Sequence, residues 1–125
     1  MFGYVTLGTN DLERSGKFYD SLLAEIGAKR MTQTDRSVFW TAGPGVPLLG
    51  VMKPFNGEPA TPGNGTMVAL MVDATEKVDS VHAKAMELGA PDEGTPGPRD
   101  AVPGFYGAYF RDPDGNKLCV FNFSG

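Results

Sequence analysis

The sequence predicts an α+β domain made of two βαβββ modules. Three observations predict it. Both halves of the chain run in one order: a strand, a capped helix, a Gly-Ala stop and further strand candidates. The tetrapeptide Glu25-Ile26-Gly27-Ala28 recurs in the second half as Glu87-Leu88-Gly89-Ala90. Between the halves, residues 54–65 (PFNGEPATPGNG) hold prolines, glycines and asparagines around few apolar groups, the composition of a linker.

Residues 3–9 (GYVTLGT) read as the first strand. Asn10-Asp11-Leu12-Glu13 then offers an N-cap with a glutamate three residues on. Leu12, Phe18, Tyr19, Leu22, Leu23 and Ile26 form a helical apolar stripe, and Gly27 supplies the left-handed stop. Short strand candidates follow near 29–33, 36–42 and 47–53. Module one therefore spans 1–53.

Module two, 66–125, repeats the plan. Thr66 to Val72 reads as a strand. Thr75 can cap a helix with the stripe Val78, Val81, Ala85 and Leu88, ended by Gly89. Asp92 to Arg99 is rich in turn residues. The chain closes on Phe105 to Phe123 (FYGAYFRDPDGNKLCVFNF), two aromatic runs flanking Asp112-Pro113-Asp114-Gly115-Asn116. Pro113 presets φ, Gly115 supplies a positive φ, and the stretch reads as a hairpin with a five-residue loop. One helix cannot cover both faces of its sheet. Two modules side by side are expected to form a curved mixed sheet, with helices on the convex face and a cleft on the concave one. Open sheet edges predict a homodimer.

At 125 residues the chain makes one domain, long enough to bury roughly two thirds of its unfolded surface. Charged residues are 21%, and the net charge of −4 comes with no basic run, which argues against a nucleic-acid partner. A single cysteine excludes an intrachain disulfide. With no signal-peptide pattern and no long apolar run, the expectation is a cytoplasmic protein with no membrane partner.

Two segments carry a family resemblance. Leu7-Gly8-Thr9-Asn10-Asp11-Leu12-Glu13-Arg14-Ser15 with Phe18-Tyr19, and Gly107-Ala108-Tyr109-Phe110-Arg111-Asp112-Pro113-Asp114-Gly115-Asn116, are similar to the glyoxalase/bleomycin-resistance/dioxygenase group, the vicinal-oxygen-chelate superfamily. The likeness spans nearly the whole chain as one glyoxalase-like domain. It implies the fold, but the group includes lyases, isomerases, dioxygenases, thiol transferases and drug-sequestering proteins, so it implies no single reaction.

Metal-dependent members of that group carry His, an acid or polar ligand, His, and Glu on the first, fourth, fifth and eighth strands. Carried onto this chain, the first position falls on Tyr4, the third on Met67 and the fourth on Cys119. The strand around Leu49 to Lys53 offers no acid for the second. The one histidine, His82, lies on the second helix just off its apolar stripe and reads as a helix-border residue. No metal and no cofactor are expected.

Alternation along the strands puts Tyr4, Thr6, Met67, Ala69, Met71, Lys117, Cys119 and Phe121 on one face, joined through the hairpin by Tyr109, Gly107 and Phe105. Val5, Leu7, Val68, Leu70, Phe110, Leu118 and Val120 then face the helices as core. The first face is aromatic and soft, suited to a flat apolar ligand. Trp40 reads either as a core anchor or as a stacking platform in the same site. Arg99 reads as a solvated loop residue or as the holder of an acid group at the rim. Cys119 reads as a small apolar filler; a nucleophile there would need a nearby base or cation.

The expected function is binding or sequestering a small, partly aromatic molecule in a metal-free concave cleft lined by Tyr4, Thr6, Trp40, Met67, Tyr109, Cys119 and Phe121. The alternative is a superfamily enzyme (a lyase, isomerase or transferase) working without metal or with an atypical one, using Tyr4, Tyr109 or Cys119 as acid, base or nucleophile.

Overall fold

A computed structural model describes residues 1–124 and shows two βαβββ modules. Module one runs β1 (Tyr4–Gly8), α1 (Leu12–Ala24), β2 (Lys29–Gln33), β3 (Ser37–Thr41) and β4 (Leu48–Met52). Module two runs β5 (Val68–Met71), α2 (Thr75–Glu87), β6 (Asp92–Pro98), β7 (Phe105–Arg111) and β8 (Lys117–Phe123). Each module hydrogen-bonds its own four-stranded mixed sheet, in the orders β1-β4-β3-β2 and β5-β8-β7-β6. The first and last strands pair in parallel, as β1 with β4 and β5 with β8, and the other pairs are antiparallel. No described helix is long and apolar enough to cross a membrane.

The helices form where the apolar stripes predict. Gly27 and Gly89 follow them at φ +76° and +87°, the left-handed geometry that stops a helix at little cost to glycine. Their starts differ from expectation. In α1 the cap is Asp11, whose carboxylate accepts from the Arg14 N–H at 3.0 Å. In α2 Thr75 is already helical, and Ala74 takes the cap position with no side-chain bond. The turn-rich 92–99 segment is also a strand. β6 pairs with β7 through two register shifts, the irregularity that its glycines and prolines impose.

One core serves both modules. Phe18, Tyr19, Leu22 and Leu23 of α1 and Val78, Val81 and Ala85 of α2 pack with Leu7, Val51, Phe110, Leu118 and Val120 from the strands. Val5, Val68 and Leu70 join it partly buried. Burying a valine, leucine or phenylalanine side chain contributes roughly 1.5–3 kcal/mol.

The expected curved mixed sheet is instead two sheets: among the described residues no strand of one contacts a strand of the other, and the modules meet through α1 and α2 and through the β7–β8 turn. The free edge of β5 borders a cavity of about 350 Å³, walled in part by Leu23, Ile26, Trp40, Leu49 and Met71. Asn10 is a hub between segments. Its backbone N–H donates to Asp114 at 2.8 Å, and its side chain exchanges two bonds with Ala60 of the linker.

Candidate functional site

The face of each sheet turned away from the helices is the candidate site. On the first sheet it carries Tyr4, Thr6, Phe39 and Gly50. Tyr4 is 63% exposed, and its ring meets Phe39 edge-on with centroids 5.5 Å apart. Gly50 permits this arrangement: a Cβ there would stand 2.4 Å from the Phe39 ring.

The second sheet holds the denser cluster. A five-residue loop sets the hairpin register, so Arg111 pairs with Lys117, Tyr109 with Cys119 and Gly107 with Phe121, as the sequence predicts. Gly115 closes that loop at φ +87°. On this face Phe105 stacks on Phe121, with centroids 5.3 Å apart and planes 11° from parallel. Phe105 lies over Gly107, where a Cβ would come within 2.5 Å of its ring. Ala69 and Met71 of β5 are exposed on the same side, and Met67, just before β5, is 44% exposed.

Two cations stand against Tyr109. The Arg99 guanidinium is 5.3 Å from the ring centre and the Lys117 ammonium 5.5 Å. Arg99 is fixed by bonds to the carbonyls of Thr95, Gly97 and Pro98. Burial pushes the Tyr109 hydroxyl above its usual pKa, with the Cys119 thiol adding to the rise and Arg99 opposing it. Burial likewise pushes the Cys119 thiol up, against Tyr109, Arg99 and Lys117. Cys119 is only 1% exposed yet stands outside the helix-side core, so its neighbours on this face cover it.

Trp40 corrects an expectation. It does not share the open face. It is 1% exposed, packs near Tyr19 on the helix side and donates its indole N–H to Asp20 at 2.9 Å. A buried indole needs such an acceptor, and α1 supplies it. The open-face aromatic of β3 is its neighbour Phe39. Strand alternation carried that information, because a core Trp40 requires Phe39 to point the other way. His82 is buried on α2 and hydrogen-bonds Asp92 at 3.0 Å, away from this face.

Zinc, nickel, iron and manganese favour imidazole, carboxylate and thiolate ligands. The positions that the resemblance assigns to ligands offer the Tyr4 phenol, the Met67 thioether and a Cys119 thiol whose ionisation burial opposes, and β4 is wholly apolar. Among the described residues no three His, Cys, Asp or Glu side chains gather as a metal would require. These residues do not fit such an ion.

Comparison with known proteins agrees with this architecture. No curated protein matches the sequence. A glyoxalase/bleomycin resistance protein from Albidiferax ferrireducens is 40% identical, with 98% of each chain covered and a TM-score of 0.88. A glyoxalase/bleomycin resistance protein/dioxygenase family enzyme from Burkholderia phytofirmans shares the fold at 21% identity, 97% of each chain covered and a TM-score of 0.77. Lactoylglutathione lyase from Agrobacterium tumefaciens shares it at 22% identity, covering 98% of this chain and 92% of its own, with a TM-score of 0.71. The family model for the Glyoxalase/Bleomycin resistance protein/Dioxygenase superfamily matches residues 1–120, and the chain belongs to that superfamily.

Proposed function

We propose that this protein binds or sequesters a small, partly aromatic molecule on the open faces of its sheets, without a divalent metal. The observation that carries the reading is the make-up of those faces. Tyr4 with Phe39, and Tyr109 with Phe105 and Phe121, present flat apolar surface and phenolic hydroxyls where metal-dependent relatives need imidazole and carboxylate. Such surface suits planar ligands, and the hydroxyls can orient them.

A homodimer belongs to the same proposal. Among the described residues β1 and β5 are edge strands paired on one side only, and Tyr4 and Met71 are exposed on them. A second copy laid edge to edge would cover those strands and join the open faces of two chains into one hollow. Native mass spectrometry reads the stoichiometry directly, and a monomer at micromolar concentration removes this part of the proposal.

A second reading is a metal-independent enzyme of the same fold. The pairing of the Tyr109 phenol with the Cys119 thiol beside two cations favours it. Burial holds both groups in their protonated forms, which suits an acid better than a nucleophile.

The deciding experiment combines elemental analysis of the purified protein with a thermal-shift screen of aromatic compounds, Tyr109→Ala beside wild type. A binder at one hundred times its Kd stabilises by about 2.7 kcal/mol. Stoichiometric zinc or nickel, or a panel in which no aromatic compound raises the Tm, overturns the reading. Stabilisation that survives Tyr109→Ala unchanged removes Tyr109 from the site.

A further inference from the structure

We infer that the open face of the second sheet takes its ligand by an acidic group, held where Arg99 and Lys117 stand against Tyr109. The flat part of the ligand then lies toward Phe105 and Phe121. This rests on the proposed binding reading and narrows the ligand class to aryl acids, planar molecules carrying a carboxylate.

The charge pattern points there. Neither Arg99 nor Lys117 forms an ion pair among the described residues, whereas Arg111, in register with Lys117, is matched by Glu93 at 2.8 Å. The partners of Arg99 are neutral carbonyls, which fix the guanidinium without cancelling its charge. Both side chains are half-buried, so part of their hydration is already lost. A carboxylate offered to a pre-positioned guanidinium gains charge-assisted hydrogen bonds with little ordering cost. The protein as a whole is acidic, at −4, which would favour a cationic ligand at long range. Salt screens that field beyond about 8 Å, so at contact distance the two local cations decide.

The spacing agrees. The Tyr109–Cys119 and Gly107–Phe121 pairs are successive rungs on one face. Such rungs lie about 7 Å apart, roughly the length of a benzoate from carboxylate to far ring edge. Because residue 107 is glycine, Phe105 can fold over that rung and stack on Phe121, giving the ring an aromatic wall beside the cations.

Calorimetric titration of the native protein tests the inference, with benzoate and phenylacetate set against neutral benzamide and cationic benzylamine. Benzoate is expected to bind about tenfold more tightly than benzamide, and to weaken as salt rises. Arg99→Gln and Lys117→Gln should each weaken benzoate by roughly five- to tenfold while leaving benzamide within about twofold. Should Arg99→Gln lose its loop and fail to fold, Lys117→Gln, at the start of β8, carries the test. Benzamide or benzylamine binding as well as benzoate, or benzoate indifferent to both substitutions, overturns the acid preference and leaves aromatic binding standing. Absence of binding by every aromatic probe at millimolar concentration overturns the binding reading itself.

Discussion

Tyr19 donates its phenolic hydrogen to Asp112 Oδ2 at 2.6 Å, a buried bond that ties the first helix to the hairpin turn of the second module. Asp112 also accepts from the Asn116 side chain and from the backbone N–H groups of Asp114 and Asn116, each at 2.9 Å. Asn116 in turn donates to the Gly8 carbonyl at the end of β1. The turn residues that close the hairpin thus also hold the modules together, and the two open faces keep their relative placement through them.

Tyr19→Phe is expected to destabilise the protein by about 1.5–3 kcal/mol, because it leaves a buried carboxylate oxygen short of a donor. Urea unfolding checks this. The midpoint should fall while the slope stays constant, since the exposed surface hardly changes. A loss below about 0.5 kcal/mol, the size of an ordinary surface change, would show that the bond does not tie the modules.

Much of this arrangement was readable from the chain, and the failures have physical causes. Period-2 alternation gave the two faces of β1, β5, β7 and β8, because a strand's side chains have only two directions. Gly115 and Pro113 gave the loop length, and the loop gave the Tyr109–Cys119 pairing. Trp40 was ambiguous because a large indole suits a core and a binding face equally; only the Asp20 acceptor, twenty residues earlier, decides it. β6 was hidden because glycines and prolines that normally mark turns here supply the register shifts of an irregular strand. The contact of Arg99 with Tyr109 depends on the path of a loop, for which no periodic pattern exists. The division into two separately bonded sheets is likewise non-local, fixed by how α1 and α2 pack rather than by any segment's own propensity.

Stability should fall in acid through two carboxylates. Asp20 is held below the usual carboxylate range, chiefly by the hydrogen bonds of Arg30 and further by the Trp40 indole. Asp92 is lowered by the Gly94 N–H and by His82. A folded-state pKa below the unfolded value gives stability that is fully present above about pH 3.9 and lost as pH falls through the folded value. Asp112 works the other way. Burial raises its pKa, so its ionised form is disfavoured in the fold and acidification relieves that cost. The net expectation is a urea midpoint that declines below about pH 4, less steeply in Asp20→Asn. Emission from Trp40, the single tryptophan, should change over the same range as its acceptor is protonated. An acid limb identical in Asp20→Asn and wild type would remove Asp20 as its source.

Labelling of Cys119 tests whether the enzymatic reading has a nucleophile, more cheaply than any assay of turnover. Cys119 is the single cysteine, so a thiol reagent reports on it alone, and Cys119→Ser should abolish all labelling. Reaction requires both access and thiolate. The native fold restricts both: the residue is 1% exposed, and burial raises its pKa more than Tyr109, Arg99 and Lys117 lower it. Labelling of the native protein is therefore expected to run on the order of a hundredfold slower than in urea, and to quicken only as the hairpin opens. A native rate above the unfolded rate would mean that the thiol is open and more ionised than a free cysteine beside its cations. The balance of burial against Arg99 and Lys117 would then be reversed, and the group next to Tyr109 would be a nucleophile rather than a filler.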